Sequence, residues 1–400
     1  MKLVTTAVFL ALALGLLLTN AVFAGALPAS TPGAFVGDFN SDGRQDVLII
    51  SATGALYIYV TASGIDGSPG AINVDVAQSG LLTTLTPGQS VKGVGDFNSD
   101  GRADVLIQDA DAAGLLVVLV NDNAVAPGSS VALDAAKTGS IATPPAGWGV
   151  IGVADANGDG NADVYVIDGD GDPGAMPAVI EAGGVYTYIT QAAVGGEPSV
   201  NAAGSGSPIG LPAGWVMSVV GDLNGDGLSD MMASNTAVIG AGNQVYTFIT
   251  AAGGVTVDVG ASGNPGAVPT GWGCCAAGNL TAGNASNDFA VANENASVPG
   301  GLQNGAIFVY ALDDDGITVL PSASAASVVL PANWEVAGLG DFNNDGIADT
   351  LAANTDGSLL VFLNSGPGTV SGVAFLTQMP EGWGVPDFLQ GMSANQIAAQ

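Results

Sequence analysis

Five nine-residue segments of this 400-residue chain repeat one pattern of oxygen-bearing side chains: DFNSDGRQD (Asp38 to Asp46), DFNSDGRAD (Asp96 to Asp104), DANGDGNAD (Asp155 to Asp163), DLNGDGLSD (Asp222 to Asp230) and DFNNDGIAD (Asp341 to Asp349). Aspartate at positions 1, 5 and 9 and asparagine at position 3 are hard oxygen donors, and calcium takes about 6 to 8 of these, with a backbone carbonyl and water completing the shell. The expected ligands are Asp38, Asn40, Asp42, Arg44 and Asp46 in the first loop and Asp96, Asn98, Asp100, Arg102 and Asp104 in the second. In the third, fourth and last complete loops they are Asp155, Asn157, Asp159, Asn161 and Asp163, then Asp222, Asn224, Asp226, Leu228 and Asp230, then Asp341, Asn343, Asp345, Ile347 and Asp349. The residue at position 7 contributes its backbone carbonyl, and glycine at position 6 allows a sharp bend. An EF-hand would close with glutamate at position 12 between helices. Here aspartate closes at position 9, and the flanking residues favour strands. A single loop of this kind is also compatible with an Asx-rich turn, but five copies in one phase favour metal sites.

A sixth copy, NLTAGNASND (Asn279 to Asp288), has lost the first aspartate and gained one residue, so no calcium is expected there. Asp168, Asp170 and Asp172, and the run Asp313 to Asp315, are weaker signals that fit solvated turns as well as metal sites.

The elements that hold these loops recur with them. First positions lie 58, 59, 67, 57 and 62 residues apart. Ten residues before the first position stands a proline (Pro28, Pro145, Pro212, Pro269, Pro331, with Pro87 one residue late), and seven before it stands Trp148, Trp215, Trp272 or Trp334. Each loop is followed by an apolar run such as DVLII, then by a second such as ALYIYVT from Ala55. A weaker alternating run comes next, for example INVDVAQ from Ile72 or VTVDVGA from Val255. With the run before the loop, this makes four short β-segments per unit, rich in β-branched and aromatic residues. Six such units without a helix signal predict an all-β fold, a β-propeller of four-stranded blades. Units start near residues 28, 86, 145, 212, 269 and 331, and residues 25–400 form one domain. A partial frame at 380–400 begins with Pro380 and Trp383 but has Gln390 where aspartate is due. Six blades with the C-terminal strand helping to close the ring are expected, with seven as the alternative. Length variation gathers between the second and third strands, on the face opposite the loops, which makes Asp168 to Gly184 and Asn293 to Gly305 candidate recognition loops.

With this phase in place, the chain from Ala34 to about Leu376 resembles the FG-GAP or VCBS repeat family, best known from integrin alpha-chain propellers. The DxNxDGxxD loop between two strands is the most specific part of the likeness. The resemblance implies calcium sites in the first-to-second-strand loops and extracellular adhesion or recognition on the opposite face. Relatives include adhesins, lectins and accessory domains of polysaccharide-active enzymes. The Gly-Ala-Pro element of the family is absent, and Phe35-Val36-Gly37 only approximates its Phe-Gly element.

Composition narrows the function. The chain has 36 Asp plus Glu against 5 Lys plus Arg, a formal net charge of -31, which excludes nucleic-acid binding by phosphate neutralisation. It contains no histidine, so a Ser-His-Asp or Cys-His nucleophile system is impossible. Residues 1–24 have the layout of a secretory signal: Lys2, an apolar run, and small residues preceding cleavage after Ala24. Secretion or cell-surface location is therefore expected, with no membrane insertion after cleavage. Cys274 and Cys275 could form a strained vicinal disulfide or remain two buried thiols. Asn279, Asn284 and Asn295 head glycosylation sequons. The tryptophans and tyrosines are expected to pack between blades.

Two kinds of function fit. One is a non-catalytic, calcium-binding extracellular adhesion, binding or self-assembling structural protein, whose partner is a protein, a glycan or another copy of itself. The other is a carbohydrate-binding lectin-like protein or a polysaccharide-active enzyme. Cleavage would need paired carboxylates in a groove, and outside the loops no acidic pair has a marked setting.

Overall fold

The computed structural model describes residues 35–384 apart from 64–71, 122–130, 169–183, 194, 212–214, 236–242, 270–271, 282, 284, 294–305, 331–333, 355, 367 and 382. The expected signal segment lies outside the described residues, as does nearly all of the two candidate recognition loops. Every regular element among the described residues is a strand, and six antiparallel sheets form the blades of a propeller.

Blade 2 shows the common plan. Its inner strand, Gln89–Gly95, leads into the second Asp loop; Asp104–Asp109 runs away from that loop, Leu115–Leu119 returns, and Gly139–Ala142 forms the outer edge. The second strand is an almost unbroken apolar run because both its faces are covered. In blade 1 it is Asp46–Ser51 and is buried throughout. Val47 and Ile49 pack against Leu351 and Leu359 of blade 6, whereas Leu48 and Ile50 pack against Val91 and Val105 of blade 2. Each such side chain stabilises the fold by about 1.5–3 kcal/mol on burial, and the same alternation fills the interfaces between the other blades.

The inner strands touch one another in a closed cycle. Glycines permit this approach: a Cβ on Gly95 would lie 2.6 Å from the Ala162 Cβ of the next blade, and one on Gly338 would lie 2.7 Å from Val36 Cγ2. Tryptophan occupies the start of each full inner strand after blade 2. Trp148 and Trp272 are buried, and Trp215 and Trp334 pack partly buried against inter-blade clusters, as expected.

Closure settles the blade number at six. In blade 1 the inner strand is divided between the two ends of the chain. Val36–Gly37 pairs with Val47 and Asp46, while Trp383–Gly384 pairs with Ser51 and Ile50. Trp383 thus faces the residue equivalent to Asp168 and Asn354, which face Trp148 and Trp334. The partial frame at Pro380 and Trp383 is the missing half of blade 1, so the seven-blade alternative falls.

The fourth strands correct a second expectation. Ile72–Val74 does not form a blade edge but pairs with Thr61–Ser63 in a side hairpin, and the edge strand is Gly80–Thr84. In blade 4 only an isolated bridge, Thr250 to Val257, marks the alternating run, and the edge is Gly263–Val268. An edge strand buries little, so sequences such as GSPIG (Gly206–Gly210) serve without an apolar pattern.

Cys274 and Cys275 lie in the inner strand of blade 5, where the ladder to the neighbouring strand shifts register between Cys274 and Ala276.

Candidate metal centres

Each complete loop is a tight turn wound around its own carboxylates. Gly43, Gly101, Gly160, Gly227 and Gly346 have φ between 81° and 86°, as the sharp bend at position 6 requires. Position 4 is left-handed too, held by Ser41, Ser99, Gly158, Gly225 and Asn344. Serine and asparagine pay a strain there that glycine avoids.

The carboxylate at position 1 caps the turn. In the first loop Asp38 Oδ2 accepts from the Gly43 amide at 2.8 Å and Oδ1 from the Asp42 amide at 3.1 Å. Asn40 Oδ1 accepts from the same Asp42 amide, and Asp42 Oδ1 accepts from the Arg44 amide. The other four complete loops repeat these bonds at the same positions. The side chains at positions 1, 3 and 5 are therefore brought together by one turn, while the amide of position 7 points to position 5.

Position 9 has a different setting. Asp46, Asp104, Asp163, Asp230 and Asp349 are fully buried. One oxygen of each accepts from the amide of position 2, at 2.9 to 3.1 Å. The other accepts from the amide of the residue just after the third strand or at its end: Thr61, Asn121, Thr190, Thr250 or Asn364, at 2.6 to 2.9 Å. This carboxylate ties the loop to the far side of its own blade. Burial raises its proton affinity, the amide bonds oppose the rise, and the aspartates at positions 1 and 5 add to it; Asp163, Asp230 and Asp349 are pushed up to about 7.

Position 2, which the sequence reading did not single out, anchors the turn from below. Phe39, Phe97, Ala156, Leu223 and Phe342 are completely buried. Their signal is an apolar residue in fixed phase behind each leading aspartate.

The loops also bond to one another. The position 8 amide of each loop donates to the position 1 carbonyl of the loop before it: Ala103 to Asp38 at 2.8 Å, Ala162 to Asp96 at 2.6 Å, Ser229 to Asp155 at 2.8 Å, and Asn287 to Asp222 at 2.7 Å. Ala348 to Asn279 at 2.6 Å and Gln45 to Asp341 at 2.9 Å complete the cycle. Arg44 and Arg102 add side-chain links, each donating through Nη1 at 3.3 Å to the position 2 carbonyl of the preceding loop, Phe342 and Phe39 respectively.

The donor set suits calcium: every side-chain donor is a hard oxygen. Loops three, four and six contain no basic residue. In the second loop Asp100 Oδ2 is a buried carboxylate oxygen without a hydrogen-bond partner, and a cation would give it a partner. Among the described residues no three His, Cys, Asp or Glu side chains already stand as a metal cluster. The loop carboxylates are turned onto amides, and one donor of each loop is an asparagine. Among its described residues the fifth loop keeps the position 9 bonds as well as its links to the neighbouring loops: Asp288 accepts from the Leu280 and Leu312 amides and from the Thr281 hydroxyl. The run at Asp313 to Asp315 is a self-contained turn, with Asp315 accepting from Thr318 and Ile317. Asp170 and Asp172 lie outside the described residues.

The fold and its ring of turns define a six-bladed β-propeller with Asp loops at one end of its blades. Residues 38–107, which span the first two of those loops, match the family model of the FG-GAP-like repeat. No curated relative matches the chain. Among solved structures it is similar to one described as the structure of the Dos1 propeller, with 13% identity and a TM-score of 0.33 over 86% of this chain and 73% of that one. It is also similar to an iodide structure of a Trichoderma reesei protein of carbohydrate-active enzymes family AA12, with 12% identity and a TM-score of 0.40 over 85% of this chain and 93% of that one.

Proposed function

We propose that this protein is a secreted, calcium-stabilised propeller that works outside the cell as a non-catalytic adhesion, binding or structural protein. The observation that carries the reading is the fivefold recurrence of one oxygen donor set, in which a single turn brings the side chains at positions 1, 3 and 5 together. Two carboxylates drawn into one turn, at positions 1 and 5, favour a cation between them. Asp38, Asp42 and Asp46, with Asn40 and the Arg44 carbonyl, would hold the ion in the first loop, and the residues at the same positions would do so in the other four. The ion would supply charge neutralisation and cross-linking of the turn.

The magnitude favours a structural role. For extracellular sites with dissociation constants near ~0.1 mM in ~1 mM calcium, mass action gives about 1.4 kcal/mol per site. Five sites then contribute roughly 7 kcal/mol, comparable with the whole stability of a domain. The N-terminal signal pattern supports secretion, and the absence of histidine supports a non-catalytic role.

Thermal melting in calcium and in chelator, with light scattering recorded alongside, tests the reading. A lower melting temperature in chelator is expected, and unchanged melting after complete metal removal would overturn it. N-terminal sequencing of the secreted product should find Gly25 first.

A further inference from the structure

Position 1 of each loop faces two ways. Its carboxylate belongs to its own turn, while its carbonyl accepts the position 8 amide of the next loop. That amide stands between positions 7 and 9, two of the candidate donors of the neighbouring loop. A cation held by the second loop therefore also restrains Asp38 of the first loop, through the Ala103 to Asp38 bond beside Arg102 and Asp104, and the stretch Asn161 to Asp163 of the third loop, through the Ala162 to Asp96 bond. Part of the ordering needed by the next ion is then already complete, which is a route to positive coupling without a large structural change.

On the reading that the loops bind calcium, we propose that this hydrogen-bonded ring couples the five sites, so that calcium is taken up cooperatively along an arc running through loops six, one, two, three and four.

The fifth loop is the fixed point of the ring. It gives its Asn287 amide to Asp222 and receives the Ala348 amide at Asn279, as the others do. Its own turn is held by Thr281 and two backbone amides on Asp288. The arc thus ends on both sides at a turn that needs no ion. Coupling is strongest across loops six, one and two, where Arg44 and Arg102 reinforce the backbone bonds. Electrostatics acts in the opposite sense, because each bound cation reduces the negative field that draws in the next. A steep isotherm therefore reports the backbone links and not the charge.

The test is a calcium titration of the chelator-stripped full chain without its signal segment, following bound calcium by indicator competition and heat by calorimetry. A Hill coefficient clearly above 1 is expected. Asp96→Ala, in the middle of the arc, should weaken the remaining sites about 5-fold, and Asp222→Ala, at its end, should weaken them less. Arg102→Leu keeps the position 7 carbonyl and places there the residue that loop four already carries, so it should lower the Hill coefficient while five ions still bind. A Hill coefficient of 1 or below, with Asp96→Ala removing one ion and leaving the others unchanged, would overturn the coupling alone. No calcium uptake at all would overturn the calcium reading and the coupling together.

Discussion

The fifth loop and the five complete ones differ at their metal-type positions and agree at position 9. Asp288 is as fully buried as Asp46 or Asp230 and makes the same two backbone bonds. Burial raises its proton affinity too, opposed mainly by hydrogen bonds from Leu312, Thr281 and Leu280, whereas the aspartates at positions 1 and 5 push up Asp46, Asp104, Asp163, Asp230 and Asp349. The last aspartate of the motif thus has a folding role that survives loss of the others. Among the six loops, paired aspartates at positions 1 and 5 are what the five complete ones have and the fifth lacks.

The largest effect expected from this contrast is that of calcium itself. Chelation should remove roughly 7 kcal/mol of stability, measured by denaturant unfolding in the two conditions. Next comes the clamp. Asp288→Ala leaves the buried amides of Leu280 and Leu312 without their acceptor, at a cost of about 3 kcal/mol, and the loss should be equal in calcium and in chelator. Asp230→Ala should cost a similar amount in chelator and more in calcium. If Asp288→Ala proves calcium-dependent, the division between clamp and ligand fails. A single position 1 change such as Asp341→Ala should cost about 1.4 kcal/mol in calcium, much less in chelator, and one bound ion by equilibrium dialysis.

A smaller effect is expected from pH. With folded values near 7 against an ordinary 3.8, Asp163, Asp230 and Asp349 hold their protons more tightly in the folded chain than in the unfolded one. Between those limits the folded state binds more protons, so the calcium-free protein should lose stability as pH rises towards and through about 7. Calcium requires the ionised carboxylates, so its contribution should grow over the same interval. Melting curves from pH 5 to pH 8 in chelator and in calcium, intervals of about one unit sufficing, should therefore diverge. The smallest effect belongs to Asn279→Asp, which restores the first aspartate to a loop with an extra residue and should leave the number of bound ions at five.

Much of this architecture was legible in the residues. The second strands are covered on both faces, so runs such as DVLII were forced to be apolar and stood out. The loops were legible because positions 1, 3, 5 and 9 carry fixed oxygen donors and position 6 a left-handed glycine, although the strain at position 4 was hidden behind serine and asparagine. The edge strands were not legible, because Gly263–Val268 or Gly206–Gly210 pack on one side only and need no pattern. The conspicuous alternation of INVDVAQ reflects a side hairpin that leans on the edge strand of blade 6. A turn motif in fixed phase also went unread: Ser79, Ser205, Ser262 and Ser324 each accept the amide of a residue at the end of a third strand.

The sequence by itself determined the repeat, the donor set of each loop and the number of full frames, because these are local properties written in side-chain type and spacing. Tertiary structure alone decided three things. It placed Trp383 beside Ser51, so that the two ends of the chain share one strand. It turned position 9 into a clamp, since the amides it receives belong to residues 7 positions before it and 15 to 27 after it. It joined the loops into a ring through backbone groups, which every residue carries and no sequence pattern can reveal.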